Sequence, residues 1–242
     1  MSGIELDHIA IATYRLTDAP PLLVGVLGGV PYFGQDAEVF RFGQWEFDGD
    51  GRIEVLEPRG ADGFLHRFLA TRGPGVHHVT FKVPSLRETC DRAESLGYGI
   101  VGYRDANPYW KEAFLHPKDA LGIVVQLAQA AGKGPTRGKW RTAPPGPPDP
   151  PPPARILGLR TRAQSEERAQ RQWGALLEGT PAIEDGTRVY RWPRSPLRIA
   201  VEIDATAEEG PICIDVASPR PVTPLDTPAT ALGTVFSRRR AP

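Results

Sequence analysis

The feature that most constrains this chain is an internal repeat. Ile4-Glu-Leu-Asp-His-Ile-Ala-Ile-Ala-Thr13 alternates as a half-buried strand does, helical sequence is expected from Thr17 to Gly28, and strands follow over Glu38–Phe47 and Arg52–Glu57. The turn Asp48-Gly-Asp-Gly51 joins these last two as a hairpin. The order then restarts. Gly75–Val83 reads as a strand, Ser85 caps a helix over Leu86–Leu96 that Gly97 ends, and strands are expected near Tyr98–Tyr103, Glu112–His116 and Ile123–Gln129. Each half is thus a βαβββ module, and a repeat of this kind buries its open face against its copy.

The run Ala143-Pro-Pro-Gly-Pro-Pro-Asp-Pro-Pro-Pro-Pro-Ala154 then interrupts the chain. Proline at this density lacks the donors for a helix or ladder and favours extended polyproline II, a semi-rigid spacer. It predicts paired modules over 1–131, a Pro-rich linker over 132–153, a third region over 154–218 and an unassigned tail over 219–242. The third region repeats the pattern once more. Ala154–Arg160 is a strand, Ser165 caps an amphipathic helix to Leu177, and Thr187–Trp192 and Leu197–Ile203 are strands. Pro211–Ala217 resembles the first strand of a fourth copy that does not continue. The expected class is α+β.

Composition narrows the partners. Lys plus Arg equal Asp plus Glu at 29 each, so no overall field recruits nucleic acid or an anionic membrane. The run Arg238-Arg239-Arg240 is expected to be a solvated tail. Cys90 and Cys213 have neither metal nor redox spacing and read as reduced thiols. No apolar run approaches the roughly 20 residues that cross a bilayer, and the first residues lack the pattern of a signal peptide. A cytoplasmic location is expected.

Overlaying the modules picks out four polar residues. All five histidines, 8, 66, 77, 78 and 116, precede the linker. Asp7-His8-Ile9-Ala10 overlays His77-His78-Val79-Thr80, which makes His8 and His78 equivalent. Ile53-Glu54-Val55-Leu56 overlays Val125-Gln126-Leu127-Ala128, which makes Glu54 and Gln126 equivalent. A buried Gln126 without a partner would cost about 1–3 kcal/mol, so it needs one. An imidazole and an oxygen donor from each half compose a mononuclear site for a divalent ion of intermediate softness.

The stretches Leu6-Asp-His-Ile-Ala-Ile-Ala12, Val76-His-His-Val-Thr-Phe-Lys-Val83, Ile53-Glu-Val-Leu-Glu-Pro58 and Phe114-Leu-His-Pro-Lys-Asp119 resemble the vicinal oxygen chelate superfamily, which holds glyoxalases, bleomycin resistance proteins and dioxygenases. The last stretch is similar to its methylmalonyl-CoA epimerase branch. The resemblance spans residues 4–130 and implies an eight-stranded, cup-shaped mixed sheet around a divalent metal (Co, Mn, Ni, Zn or Fe). Carried over position by position, it makes His8, Glu54, His78 and Gln126 the protein ligands. Relatives carry Glu at the place of Gln126, and there this chain departs. An amide oxygen can bind a metal, but it cannot carry a proton.

The resemblance further implies an epimerase or isomerase that removes a proton beside a carbonyl, on a small-molecule substrate of the acyl-CoA kind. Glu54 and Glu38 are the candidates for proton transfer. Lys111 and Glu112, beside Trp110, are polar residues without an assigned place, and His77 and His116 are expected to support the site or lie at the surface. Two other readings share the fold: a glyoxalase-like lyase or ring-cleaving dioxygenase, and a metal-free protein that binds small molecules such as antibiotics. The third module places Leu157 or Gly158 where His8 and His78 stand, and only Glu202 matches Glu54. It is expected to be structural, either pairing with another chain as in a homodimer or folding back on the first region.

Overall fold

The computed structural model describes residues 3–131, 140–220 and 232–239. Residues 132–139 of the expected linker, and 221–231 and 240–242 of the expected tail, lie outside the described residues. The first module is β1 (Glu5–Ala12), α1 (Pro20–Leu23), β2 (Val30–Asp36), β3 (Phe40–Glu46) and β4 (Arg52–Pro58). A helix, α2 (Phe64–Arg72), leads to the second: β5 (Gly75–Lys82), α3 (Leu86–Ser95), β6 (Ile100–Arg104), β7 (Trp110–Leu115) and β8 (Val124–Ala130). After β9 (Trp140–Arg141), the third module is β10 (Arg155–Ala163), α4 (Glu166–Ala169) continued by π-helical turns over Gln170–Leu176, β11 (Thr180–Glu184), β12 (Thr187–Arg191) and β13 (Arg198–Ile203). Strands β14 (Gly210–Ala217) and β15 (Phe236–Arg239) follow.

The strands form two mixed sheets, β6-β7-β8-β5-β1-β4-β3-β2-β9 and β11-β12-β13-β10-β14-β15. The first sheet holds the eight strands of the paired modules and gains a ninth, because β9 pairs with β2. In every module the last strand lies parallel to the first. Ala10 faces Glu54 between β1 and β4, Thr80 faces Gln126 between β5 and β8, and Arg160 faces Ala200 between β10 and β13.

The helix expected over Thr17–Gly28 contracts to the single turn α1. It begins at Pro20-Pro21, where missing donors do no harm. Strand β2 was hidden in the sequence by Pro31, which sits where the β2–β3 register shifts, as a proline within a sheet does.

Two compact units divide the chain. One is built from the described residues of Met1–His8, His78–Pro135 and Gly158–Ile212. Here the third module folds back on the second. Phe81 of β5 meets Trp192 with ring centroids 4.8 Å apart and Trp173 at 6.2 Å. The Trp192 Nε1–H donates to the Leu177 carbonyl at 2.6 Å, so its one polar atom is satisfied in the core. Arg92 of α3 pairs with Glu178, and a Cβ at Gly122 would meet the Glu209 carbonyl oxygen at 2.1 Å. Only glycine permits that approach.

The other unit comprises the described residues of Ile9–His77, Thr136–Leu157 and Cys213–Pro242. Its core includes Ala10, Ala12, Leu56, Leu65 and Leu69 under Phe40, Phe42 and Phe68. The prolines lie close to the turn that follows α1: a Cβ on Gly25 would sit 3.1 Å from Pro147, and one on Gly28, whose φ is +72°, would meet the Pro151 carbonyl at 2.2 Å. Arg239 is exposed, as expected of a solvated residue, but is not in a structureless tail. It lies in β15, and its Nε is 3.2 Å from Oδ1 of the fully buried Asp215. Arg240 lies outside the described residues. Both cysteines are buried free thiols. Among the described residues, no helix is long and apolar enough to cross a membrane.

Candidate metal centre

His8 of β1, His78 of β5, and Glu54 and Gln126 of the two last strands β4 and β8 are all buried. A buried polar side chain in an apolar strand is retained only with partners, and each of these has them. Ligand atoms of His8, Glu54 and His78 lie within 4.8 Å of one another. The two imidazoles stand edge to face with centroids 5.9 Å apart.

The His8 Nδ1 is 2.8 Å from Asp7 Oδ2, and the other Asp7 oxygen accepts from Lys82 Nζ. Burial would raise the Asp7 pKa, but the hydrogen bond and charge of His8 and the Lys82 ammonium outweigh it and hold the carboxyl well below the usual range. Asp7 therefore stays an anion that orients the ring through Nδ1. This directs Nε2 away from Asp7, the arrangement by which an outer carboxylate orients a metal-binding histidine. Glu54 is held similarly, its Oε2 accepting from Gln44 Nε2 at 2.9 Å.

Gln126 joins the group through Thr80. The Thr80 hydroxyl donates to Gln126 Oε1 at 2.6 Å, and its oxygen is 3.0 Å from His8 Nε2. The partner that the sequence demanded for Gln126 is thus Thr80 on one side and Glu112, 2.9 Å from its Nε2, on the other.

Two imidazole nitrogens and a carboxylate oxygen form a donor set that suits a divalent transition ion. The donor set fits a metal.

Other expected residues lie elsewhere. Glu38 is exposed, on a bend between β2 and β3. His77 packs against Phe64 and Phe68, with centroids 5.5 and 4.9 Å away, and burial pushes its pKa down to about 4 against the raising charge of Glu54. His116 Nδ1 accepts the Lys118 backbone N–H at 3.2 Å, a local turn contact. Gln44, Thr80 and the Asp7–Lys82 pair escaped the sequence reading. For Gln44 and Thr80 one signal was available: each faces an oxygen donor across the ladder, Gln44 opposite Glu54 and Thr80 opposite Gln126.

Comparison with known proteins identifies the family. Residues 7–114 match the model of the glyoxalase/bleomycin resistance protein/dioxygenase superfamily. The ethylmalonyl-CoA/methylmalonyl-CoA epimerase of Cereibacter sphaeroides is 30% identical over 132 residues, 52% of this chain and 97% of that one. Protein YqjC of Bacillus subtilis is 29% identical over 131 residues, 53% and 94% respectively. Among solved structures, a mutant of 4-hydroxymandelate synthase from Streptomyces coelicolor aligns with TM-score 0.64 over 90% of this chain and 72% of that one. At 15% identity that likeness is one of fold, and its coverage takes in more than the paired modules. With the repeated module, the buried histidines and these relatives together, the chain belongs to the glyoxalase/bleomycin resistance protein/dioxygenase superfamily.

Proposed function

We propose that this protein is a metal-dependent epimerase or isomerase that acts on the carbon next to a carbonyl, with an acyl-CoA thioester of the methylmalonyl-CoA kind as substrate. The observation that carries the reading is the buried group His8, Glu54 and His78, with Gln126 linked to it through Thr80. Support for the substrate class comes from the similarity to the Cereibacter epimerase.

His8, Glu54, His78 and Gln126 would hold the ion. When bound, it supplies Lewis acidity that stabilises the negative charge left on a substrate carbonyl oxygen after the α-proton departs. The rest falls to the chain. Asp7 and Lys82 keep His8 in one orientation, and Gln44 keeps Glu54 in one orientation. Gln126 cannot exchange a proton, so Glu54 is the carboxylate of the group that can accept one. Glu38, exposed on its bend, has no place in this assignment.

Exchange of the α-proton of methylmalonyl-CoA in deuterated buffer with Co²⁺ tests the proposal. The expected outcome is deuterium uptake by the wild type that is lost in His8→Ala and His78→Ala. Metal content after purification without chelators separates the alternatives. A stoichiometric ion without exchange rejects the substrate, and a wild type that takes up no ion points to the metal-free binder of the same fold.

A further inference from the structure

Behind Gln126 stands a carboxylate. Gln126 Nε2 donates to Glu112 Oε2 at 2.9 Å, and the Trp110 indole N–H donates to the same oxygen at 3.0 Å. Glu112 lies on β7, where it faces Ala128, and Phe114 faces Gln126. Its other oxygen is 3.5 Å from the guanidinium of the exposed Arg104.

These contacts decide which way the Gln126 amide points. An ionised carboxylate only accepts hydrogen bonds, so Glu112 must face the amide NH₂ and not its oxygen. The oxygen then turns the opposite way, to Thr80 at 2.6 Å, whose hydroxyl oxygen is 3.0 Å from His8 Nε2. A flipped amide would set two acceptors against each other at Glu112 with no proton between them. A hydrogen bond to an anion is also roughly twice as strong as a neutral one and polarises the amide, which draws negative charge onto the oxygen.

We infer that Glu112 is a positioning residue: it locks the Gln126 oxygen toward Thr80 and His8, the side on which the candidate metal ligands stand. The inference rests on the proposed reading of Gln126 as a ligand. It also accounts for a constraint on position 126. With Glu112 in place, a glutamate at 126 would bring two carboxylates to hydrogen-bonding distance, and like charges so placed are costly.

The test is Co²⁺ affinity of the full chain, measured by competition with a chromophoric chelator. Circular dichroism and a thermal melt of each metal-free variant check the fold. Gln126→Ala and Glu112→Ala are each expected to weaken binding by about 10–100-fold, the usual loss when a partner of a metal site is removed. Gln126→Glu alone is expected to bind no more tightly than wild type. The double variant Gln126→Glu, Glu112→Gln removes the repulsion and is expected to bind about tenfold more tightly than Gln126→Glu. If Gln126→Ala weakens binding and Glu112→Ala does not, Gln126 remains a ligand and the positioning role is overturned. If Gln126→Ala has no effect, the ligand reading fails and takes this one with it. Should Glu112→Ala fail to fold, the double variant decides, because it keeps hydrogen-bonding groups at both positions; affinity equal to that of Gln126→Glu overturns the inference.

Discussion

The second and third modules lie in one compact unit and share one strand order, yet only the second carries the candidate metal ligands His78 and Gln126. In the second, Thr80 faces Gln126 across the parallel pair and His78 precedes Thr80 by two residues. In the third, Arg160 faces Ala200 and Gly158 takes the place of His78. Gly158 has φ +147°, and a Cβ there would meet the Arg198 carbonyl oxygen at 1.8 Å, so no side chain fits. The oxygen-donor position is empty as well. Glu202, expected from the sequence to match Glu54, lies two residues beyond Ala200 and pairs with Arg160, Nη1 to Oε1 at 3.4 Å. Where each of the first two modules places a buried histidine and a candidate oxygen donor, the third places a cation. The βαβββ order is held by apolar packing, and the ligand positions are a separate feature that a module can lose without losing its fold.

The largest expected effect strikes what the two modules share. Trp192 of the third is 1% exposed and stacks edge to face on Phe81 of the second. Trp192→Ala deletes that contact and leaves the Leu177 carbonyl without its donor. A loss of about 3–5 kcal/mol is expected in urea denaturation, the range for emptying an aromatic site in a core. A loss below about 1 kcal/mol would mean that the modules do not depend on one another, and the comparison would reduce to two neighbours on one chain.

Much of this was readable beforehand, for physical reasons that differ by element. Strands β1, β5, β8 and β13 are legible because Val, Ile, Leu, Phe or Ala recur along each of them. His8, His78, Glu54 and Gln126 stand out as candidates because a repeat provides its own internal standard: a polar residue at the same place in two apolar strands is hard to assign to chance. Strand β15 was not found, because the local signal of Phe236–Arg239 is four residues with three polar ones, and its place depends on the parallel pairing with β14 and on buried Asp215. Asp7 and Lys82 were missed for a similar reason. They lie 75 residues apart in the chain and meet only once β1 and β5 are in place. Glu112 was noticed but unplaced, because its meaning comes from Gln126 on the neighbouring strand.

A smaller effect sharpens the seam between the modules. The Glu209 carboxylate accepts from Arg168 Nε at 2.8 Å and Nη2 at 2.7 Å, and from the Gln164 backbone N–H at 3.0 Å, while its own carbonyl closes over Gly122. Burial raises its pKa, but the Arg168 fork and the Gln164 N–H outweigh that and lower it below the ordinary glutamate value. A carboxyl with a depressed folded pKa stabilises the fold above its unfolded pKa, and the contribution is lost as pH falls through the folded one. Glu209→Gln is therefore expected to cost about 1–2 kcal/mol at pH 7. The gap to wild type should narrow as denaturation is repeated at pH values below the ordinary glutamate range. A gap that stays constant would show that Glu209 acts by shape and not by charge.

The smallest effect tests whether the polar pair of the third module matters to the metal at all. Arg160 is buried at 6% exposure, and the Glu202 side chain is 45% exposed. Removing the cation leaves Glu202 in contact with water, which solvates it. Methionine fills a similar volume without the desolvation cost of a guanidinium, and Thr187, whose Oγ1 is 3.4 Å from Arg160 Nη1, loses only a long contact. Arg160→Met is expected to leave Co²⁺ affinity within about twofold of wild type, because the third module brings no candidate ligand to the His8 and His78 centre. A tenfold loss of affinity would mean that the third module does more than cover the second, and that the charge at Arg160 is felt at His78 through the shared unit.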